Sequence, residues 1–390
     1  VIIGKSGVVN TGGTFVASTQ DLTNAEFLTG GTLTFSGNSP AEVLNLGKVG
    51  SLGGDVTLIA SKVENDGSIT AGRGDVGLVA GYQLVMSDAT QNGGEFQVLL
   101  GGSGTSATNT GSIRAAEAEL RANGGNVFAL AGNTGGIIDA TGVSTNDGKV
   151  LLIAENGSVT ANGTIIAKTA TGAGGEVETS GQTVNFAGLT VKAGSWMVDP
   201  ENLTISGADA DTLSTALSEG TSVTLQTTAS GPPIENVGVG GTTSGGAGDI
   251  IIASAVNWSS GATLTLDAFH SIAIDAPVTT NGGGVVLNTN FGNAGGGGYG
   301  FGLTAAGFQG SLNFTNASGS LTQLHHRCGR RLADARQRPL RRDHRRGRAD
   351  HGGRGAGAAG LGGAEPRSGW RARHRRADHR FRRRRGQPRL

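Results

Sequence analysis

The sequence predicts an all-β fold: a right-handed parallel β-helix (solenoid) with a disordered C-terminal tail. Three observations predict it. Short β-type runs recur behind glycine-containing turns, 71 of the 390 residues are glycine, and no apolar stretch is long enough to cross a membrane as a helix. The glycines keep no three-residue period, which excludes collagen. Aromatic residues at 4% and charged residues at 16% argue against a compact enzyme with a large aromatic core.

The net charge of +1 averages two unlike regions. Residues 325–390 carry 22 Arg against five acids, a net +17, whereas residues 1–324 carry nine basic and 25 acidic side chains, a net −16. The tail has no Thr, Asn, Val, Ile, Lys, Tyr or Met, yet it holds six of the seven His and the only cysteine, Cys328. Its composition is what a GC-rich gene yields out of frame, and its charge and lack of β-branched residues predict disorder. Two functional readings compete with this. One is an arginine-rich nucleic-acid arm. The other is a zinc site at His325, His326 and Cys328, which lack the spaced pairs of zinc ligands. Neither displaces the out-of-frame reading, so we expect no specific nucleic-acid partner, no metal and no cofactor.

Within residues 1–324 the runs match one another. Gly53-Gly54-Asp55-Val56-Thr57-Leu58-Ile59-Ala60 is followed by Arg73-Gly74-Asp75-Val76-Gly77-Leu78-Val79-Ala80. Further runs have their first apolar residues at Phe96, Val127, Val150 and Val177. A second unit recurs as Gly67-Ser68-Ile69-Thr70-Ala71, Gly111-Ser112-Ile113-Arg114-Ala115 and Gly157-Ser158-Val159-Thr160-Ala161, with Gly136-Ile137-Ile138-Asp139-Ala140 a looser copy. Such units cannot bury a face alone and must stack, which makes a β-helix. A β-sandwich would place turns every 8–12 residues without matched runs. Propeller blades run nearer 40 residues.

Alternation places Val56, Leu58, Ala60, Val76, Leu78 and Ala80 inside the coil and Thr57 outside. Phe128 and Leu130 break the pattern, which predicts something packed on the outside of their coil. At about 21 residues per coil, residues 1–324 give about 15 coils and, at about 4.8 Å each, a rod of roughly 70 Å. One short helix is expected near 211–219, with Asp211 as N-cap and Leu213 and Leu217 on one face. A strand over 221–228 follows. Residues 229–249 and 292–302 read as loops.

Two tryptophan elements stand out: Gly194-Ser195-Trp196-Met197-Val198-Asp199-Pro200-Glu201-Asn202-Leu203-Thr204-Ile205 and Trp258-Ser259-Ser260-Gly261-Ala262-Thr263-Leu264-Thr265-Leu266. With Val1–Gly13, Phe15–Thr19, Phe27-Leu28, Gly30-Gly31 and Phe35–Gly37, they resemble the filamentous-haemagglutinin family of two-partner-secreted exoproteins. The resemblance covers residues 1–324 and begins after that family's Asn-Pro-Asn-Gly motif. It implies that residues 1–193 are the C-terminal part of a secretion-domain-like β-helix with following coils, and 194–324 further adhesin repeats. It also implies a Gram-negative, secreted or cell-surface adhesin, an outer-membrane two-partner-secretion transporter and an unidentified surface receptor. Trp196, Asp199, Pro200 and Trp258 become family-motif structural residues. The absence of cysteine before 328 suits threading of an unfolded chain.

Catalytic signals are sparse. His270 is the one histidine before the tail, so no Ser–His–Asp set is assembled by sequence. Glu176 and Glu178 share a strand face and mimic a glycosidase pair, although such pairs normally come from different segments. Polysaccharide lyases on β-helices need converging acids and bases, and the nine Lys and Arg before residue 325 do not cluster. Gly245-Gly246-Ala247-Gly248-Asp249 occurs once and out of register for a calcium repeat. Arg73-Gly74-Asp75 is an integrin-type tripeptide, but it fills the turn-to-strand position that Gly54-Asp55 fills one coil earlier. The expected function is a non-enzymatic adhesin. A β-helical carbohydrate-active enzyme and a toxin stalk without its effector are the alternatives.

Overall fold

A chain of short, β-branched runs separated by glycine turns satisfies its backbone groups by stacking runs in parallel. The computed structural model describes residues 1–325 except 88–95, 131–134, 144–147, 229–236, 240–241, 245–247, 292–296 and 303–309. These residues all lie in one unit, Val1–Arg331. The tail from 326 onward, with His326 and Cys328, lies outside them.

The fold is a parallel β-helix with three faces. Each turn of the chain visits the faces in the order two, three, one, with a strand on each except where a helix takes the face-three position. Face one is a continuous ladder of eleven strands among the described residues, from Phe15–Ser18 through Val56–Ala60 to Ser320–His325. Its inward column reads Val56, Val76, Ala118, Val150, Val177, Trp196, Val223, Leu264 and Val285. All nine are buried, and each fully buried Val or Leu contributes about 1.5–3 kcal/mol relative to exposure. Ten steps at about 4.8 Å make this ladder roughly 48 Å long.

Face three stacks Val49, Ile69, Ile113, Ile138, Ile165 and Val191. Face two stacks Val43, Val63, Ala107, Val127 and Val159. Two residues further along three of these face-two strands, past an outward residue, buried asparagines form a ladder. Asn45 Nδ2 donates to Asn65 Oδ1 at 2.7 Å, and Asn65 Nδ2 to Asn109 Oδ1 at 2.6 Å. Asn109 Nδ2 closes the ladder on the Gly111 carbonyl, so each buried amide is hydrogen-bonded.

The sequence pattern assigns several of these positions differently. Val56 and Val76 stack as expected, but the next rung is Ala118, neither Phe96 nor Val127. Phe96–Leu100 leaves the coil and pairs antiparallel with Gln83–Met86, which pairs antiparallel with Leu33–Ser36. Val127 and Val159 belong to face two, so the Gly157 unit is not a copy of the Gly67 and Gly111 units. Ile69-Thr70-Ala71 on face three and Val159-Thr160-Ala161 on face two share one inward pattern of a β-branched residue and then alanine, which makes the two units interchangeable by eye. These excursions also reduce the coil number below the expected 15.

The antiparallel sheet lies outside the coil and forms a second core of Phe35, Leu84, Phe96 and Val98 on Ile59 and Val79. Thr57, expected to face solvent, is therefore buried, its hydroxyl 3.9 Å from Met86 Sδ. An outside layer does exist, but its core contains neither Phe128 nor Leu130, which are half-buried. Gly77 makes room for it: a Cβ there would sit 2.4 Å from the Phe96 ring.

The helix spans Ala208–Ser218 with Gly207 at its N-cap, so it starts earlier than expected and Asp211 lies in its first turn. Ala208 and Ala210 extend it because alanine favours helix and Ala210 is buried. Leu213 and Leu217 are fully buried, as their spacing predicts. The helix occupies the face-three position of its coil, between Leu189–Lys192 and Val256–Trp258. Thr212 Oγ1 accepts from Gly188 N at 3.0 Å, and Ser214 Oγ accepts from Asn257 N at 3.0 Å. Beyond it, faces two and three continue as separate ladders starting at Leu203–Ile205 and Val256–Trp258. Tyr299–Phe301, inside the expected loop 292–302, is a rung of the first of these. Within 229–249, Val237–Val239 and Thr242–Ser244 pair as an antiparallel hairpin.

Candidate functional site

The outward side of face one changes character along the ladder. At Ile59 and Val79 it is apolar and covered by the outer sheet. On the Ala118 rung its outward residues are Glu117, Glu119 and Arg121, all buried. Arg121 Nε bonds Glu119 Oε1 and its Nη1 reaches Glu155 Oε1 at 2.9 Å, while Glu119 Oε2 accepts from Phe96 N at 3.2 Å. This paired, hydrogen-bonded network fastens the edge of the outer sheet to the coil.

Beyond that network the face opens into a groove. One cavity of about 360 Å³ is lined by Ile153, Glu155, Asn156, Ser180, Gly181, Gln182, Asp199, Glu201 and Thr228. A neighbouring one of about 280 Å³ is lined by Leu151, Glu176, Glu178, Ser195, Met197 and Thr224, with Val177 and Trp196 beneath. The walls carry carboxylates, amides and hydroxyls and no Lys, Arg or His. Alternation along the strands explains the arrangement: Val177, Thr179, Trp196 and Val198 point inward, so Glu176, Glu178, Ser180, Met197 and Asp199 point out.

Asp199 is the most perturbed of these groups. Burial pushes its carboxyl above the usual aspartate range and the Glu178 charge pushes it further, against a hydrogen bond from Gln226 Nε2 to Oδ2 at 3.3 Å. Its Oδ1 is enclosed without a hydrogen-bond partner among the described residues. Glu178 Oε1 accepts from Ser180 Oγ at 2.6 Å, and Glu176 is exposed.

The other sequence candidates fall elsewhere. Trp196 and Asp199 share the strand Ser195–Asp199, with Trp196 wholly inside and Pro200 buried. Trp258 is also buried, and its Nε1 donates to the Ala262 carbonyl at 3.0 Å. Arg73, Gly74 and Asp75 lie within the strand Ser68–Ala80, where it turns from face three to face one. Arg73 is exposed and Asp75 half-buried. Gly74 is buried so tightly that a Cβ there would lie 2.3 Å from the Gly54 carbonyl oxygen.

His270 Nδ1 meets Asp249 Oδ1 at 2.8 Å, and Ser271 Oγ lies 3.1 Å from the same nitrogen. Both partners on one nitrogen hold the ring but do not make a nucleophile–base–acid relay, which needs them on opposite nitrogens. Gly248 and Asp249 donate their N–H groups to Asn202 Oδ1, and residues 245–247 lie outside the described residues. Among the described residues no group of three or more His, Cys, Asp or Glu is placed to hold a metal, and no helix is long and apolar enough to cross a membrane.

The sequence pattern missed the Glu119–Arg121–Glu155 network and the Glu155–Asp199–Glu201 side of the groove. The signal available for the first was the charged alternation Glu117-Ala118-Glu119-Leu120-Arg121-Ala122.

No known protein family and no curated protein matches the chain. Among solved structures, the chain is similar to the crystal structure of the HMW1 secretion domain from Haemophilus influenzae. The identity is 20%, the TM-score is 0.45, and the match covers 83% of this chain and 77% of that one.

Proposed function

We propose that the chain is a non-catalytic, β-helical rod of a bacterial adhesin, exported by two-partner secretion and displayed at the cell surface or released. The observation that carries this reading is the Trp196–Ile205 element, which resembles the adhesin branches of the filamentous-haemagglutinin family, set in a long parallel ladder. Such a ladder buries its apolar residues inward and leaves an extended polar face for contact. The groove on that face supplies shape and hydrogen-bonding groups for a surface ligand, and its carboxylates disfavour polyanions. The transporter partner and the extracellular location rest on the same resemblance.

The test is genetic. Deleting the cognate outer-membrane transporter in the producing bacterium removes the chain from the surface and the medium. Surface labelling that is unchanged by the deletion overturns the proposal.

A further inference from the structure

Asp199–Pro200 is the one Asp–Pro bond in the sequence, and it sits at the exit of a face-one strand. Three features meet there. Oδ1 of Asp199 is enclosed and makes no hydrogen bond among the described residues, so it loses no partner on moving. Its Oδ2 is held by Gln226. The following nitrogen belongs to a buried proline, which carries no N–H and is not committed to a ladder bond.

We propose that Asp199 cleaves the chain at its own peptide bond to Pro200. Oδ1 attacks the main-chain carbonyl carbon of the same residue, forming a C–O bond and closing a five-membered ring. The carboxyl proton passes to the Pro200 nitrogen, the C–N bond breaks, and the new C-terminus is a cyclic anhydride. One water molecule opens it to leave Asp199 with two free carboxyls and Pro200 with a secondary amine. Nothing is oxidised or reduced.

Nucleophile, carbonyl and leaving nitrogen are held within one dipeptide, so the step depends on orientation rather than on encounter. The groups facing Asp199 favour the protonated acid that supplies the proton. Glu178 lies on the adjacent strand, Glu155 and Glu201 line the same groove, and Gln226 is neutral. Burial and Glu178 both raise this carboxyl. The activity goes beyond attachment and does not depend on it. Strand Ser195–Asp199 is paired on both sides, as is the next coil strand upward, so the two pieces stay together until denatured.

The experiment incubates the purified full chain between about pH 4 and 7, folded and in urea, and reads fragments by denaturing electrophoresis and intact mass. The expected products are residues 1–199 and 200–390, formed in the folded chain on the order of tenfold faster than in the unfolded one. Asp199→Asn blocks the cut, and Glu178→Gln moves the rate profile to lower pH. Three results overturn the proposal: no cut at this bond, a cut that is as fast in urea, or a cut that persists in Asp199→Asn.

Discussion

The Trp196 indole N–H donates to Thr179 Oγ1 at 3.2 Å inside the coil. The same ring meets Phe186 edge-on, with centroids 5.2 Å apart and planes at 86°. Indole is the largest fully buried side chain of the described residues, and it fills a rung position that the other buried rungs of this column fill with valine, leucine or alanine. Trp196→Ala is expected to destabilise the chain by about 3–5 kcal/mol, and Trp196→Phe by less. The Thr179 hydroxyl keeps the Met197 carbonyl as acceptor in either variant. Urea denaturation followed by far-UV circular dichroism checks both.

The buried Arg121 neutralises Glu119 beneath the outer sheet. Arg121→Ala leaves that carboxylate without its guanidinium and is expected to cost about 3–5 kcal/mol. The pair Arg121→Met with Glu119→Gln removes both charges and keeps an acceptor for Phe96 N, so it recovers most of that loss. A double-mutant cycle in urea measures the difference.

What the sequence reveals of this fold depends on what lies outside each strand. Val56 over Val76 is legible from the repeated Gly-Asp-Val run, and Ile69, Ile113 and Ile138 in one column are legible because their outward neighbours Thr70, Arg114 and Asp139 are polar and follow the simple alternation. The Ala118 rung is not, because Glu117, Glu119 and Arg121 suggest a solvated strand and are in fact buried against an added sheet. Phe96 carries the same local pattern as a coil strand, and nothing within its run says that it pairs antiparallel. Of the groove, Glu176 and Glu178 are legible as a shared face. Asp199 and Glu155 reach it only through rung stacking, which sequence spacing of unequal coils does not encode.

Gly77 exists in its coil for the Phe96 ring. Gly77→Val is expected to lift the outer sheet while the coil stays formed. Limited proteolysis then cuts within residues 83–100 at protease levels that spare the native chain, with the β-sheet circular dichroism signal retained. Loss of the whole signal would mean that the outer sheet and the coil fold as one.

Burial pushes the Glu64 carboxyl up, and the charge and hydrogen bond of Asp66 and the charge of Glu42 add to it. A folded pKa above the unfolded one means that native stability is greatest below the unfolded pKa and falls as pH rises through the folded one. Glu64→Gln is therefore expected to raise Tm at pH 7, with the gain fading below about pH 4. Thermal melts of both proteins across that range check the sign.

The claim that this face attaches without turning its ligand over is tested most directly by one assay. The purified chain is applied to host cells and to immobilised neutral glycans and polyuronates, and retention and released product are measured together. The account predicts saturable retention on at least one surface, weakened by Glu178→Gln or Glu201→Gln, and no released sugar. Released reducing ends or unsaturated products that disappear in Glu178→Gln would contradict it and make the groove an active site.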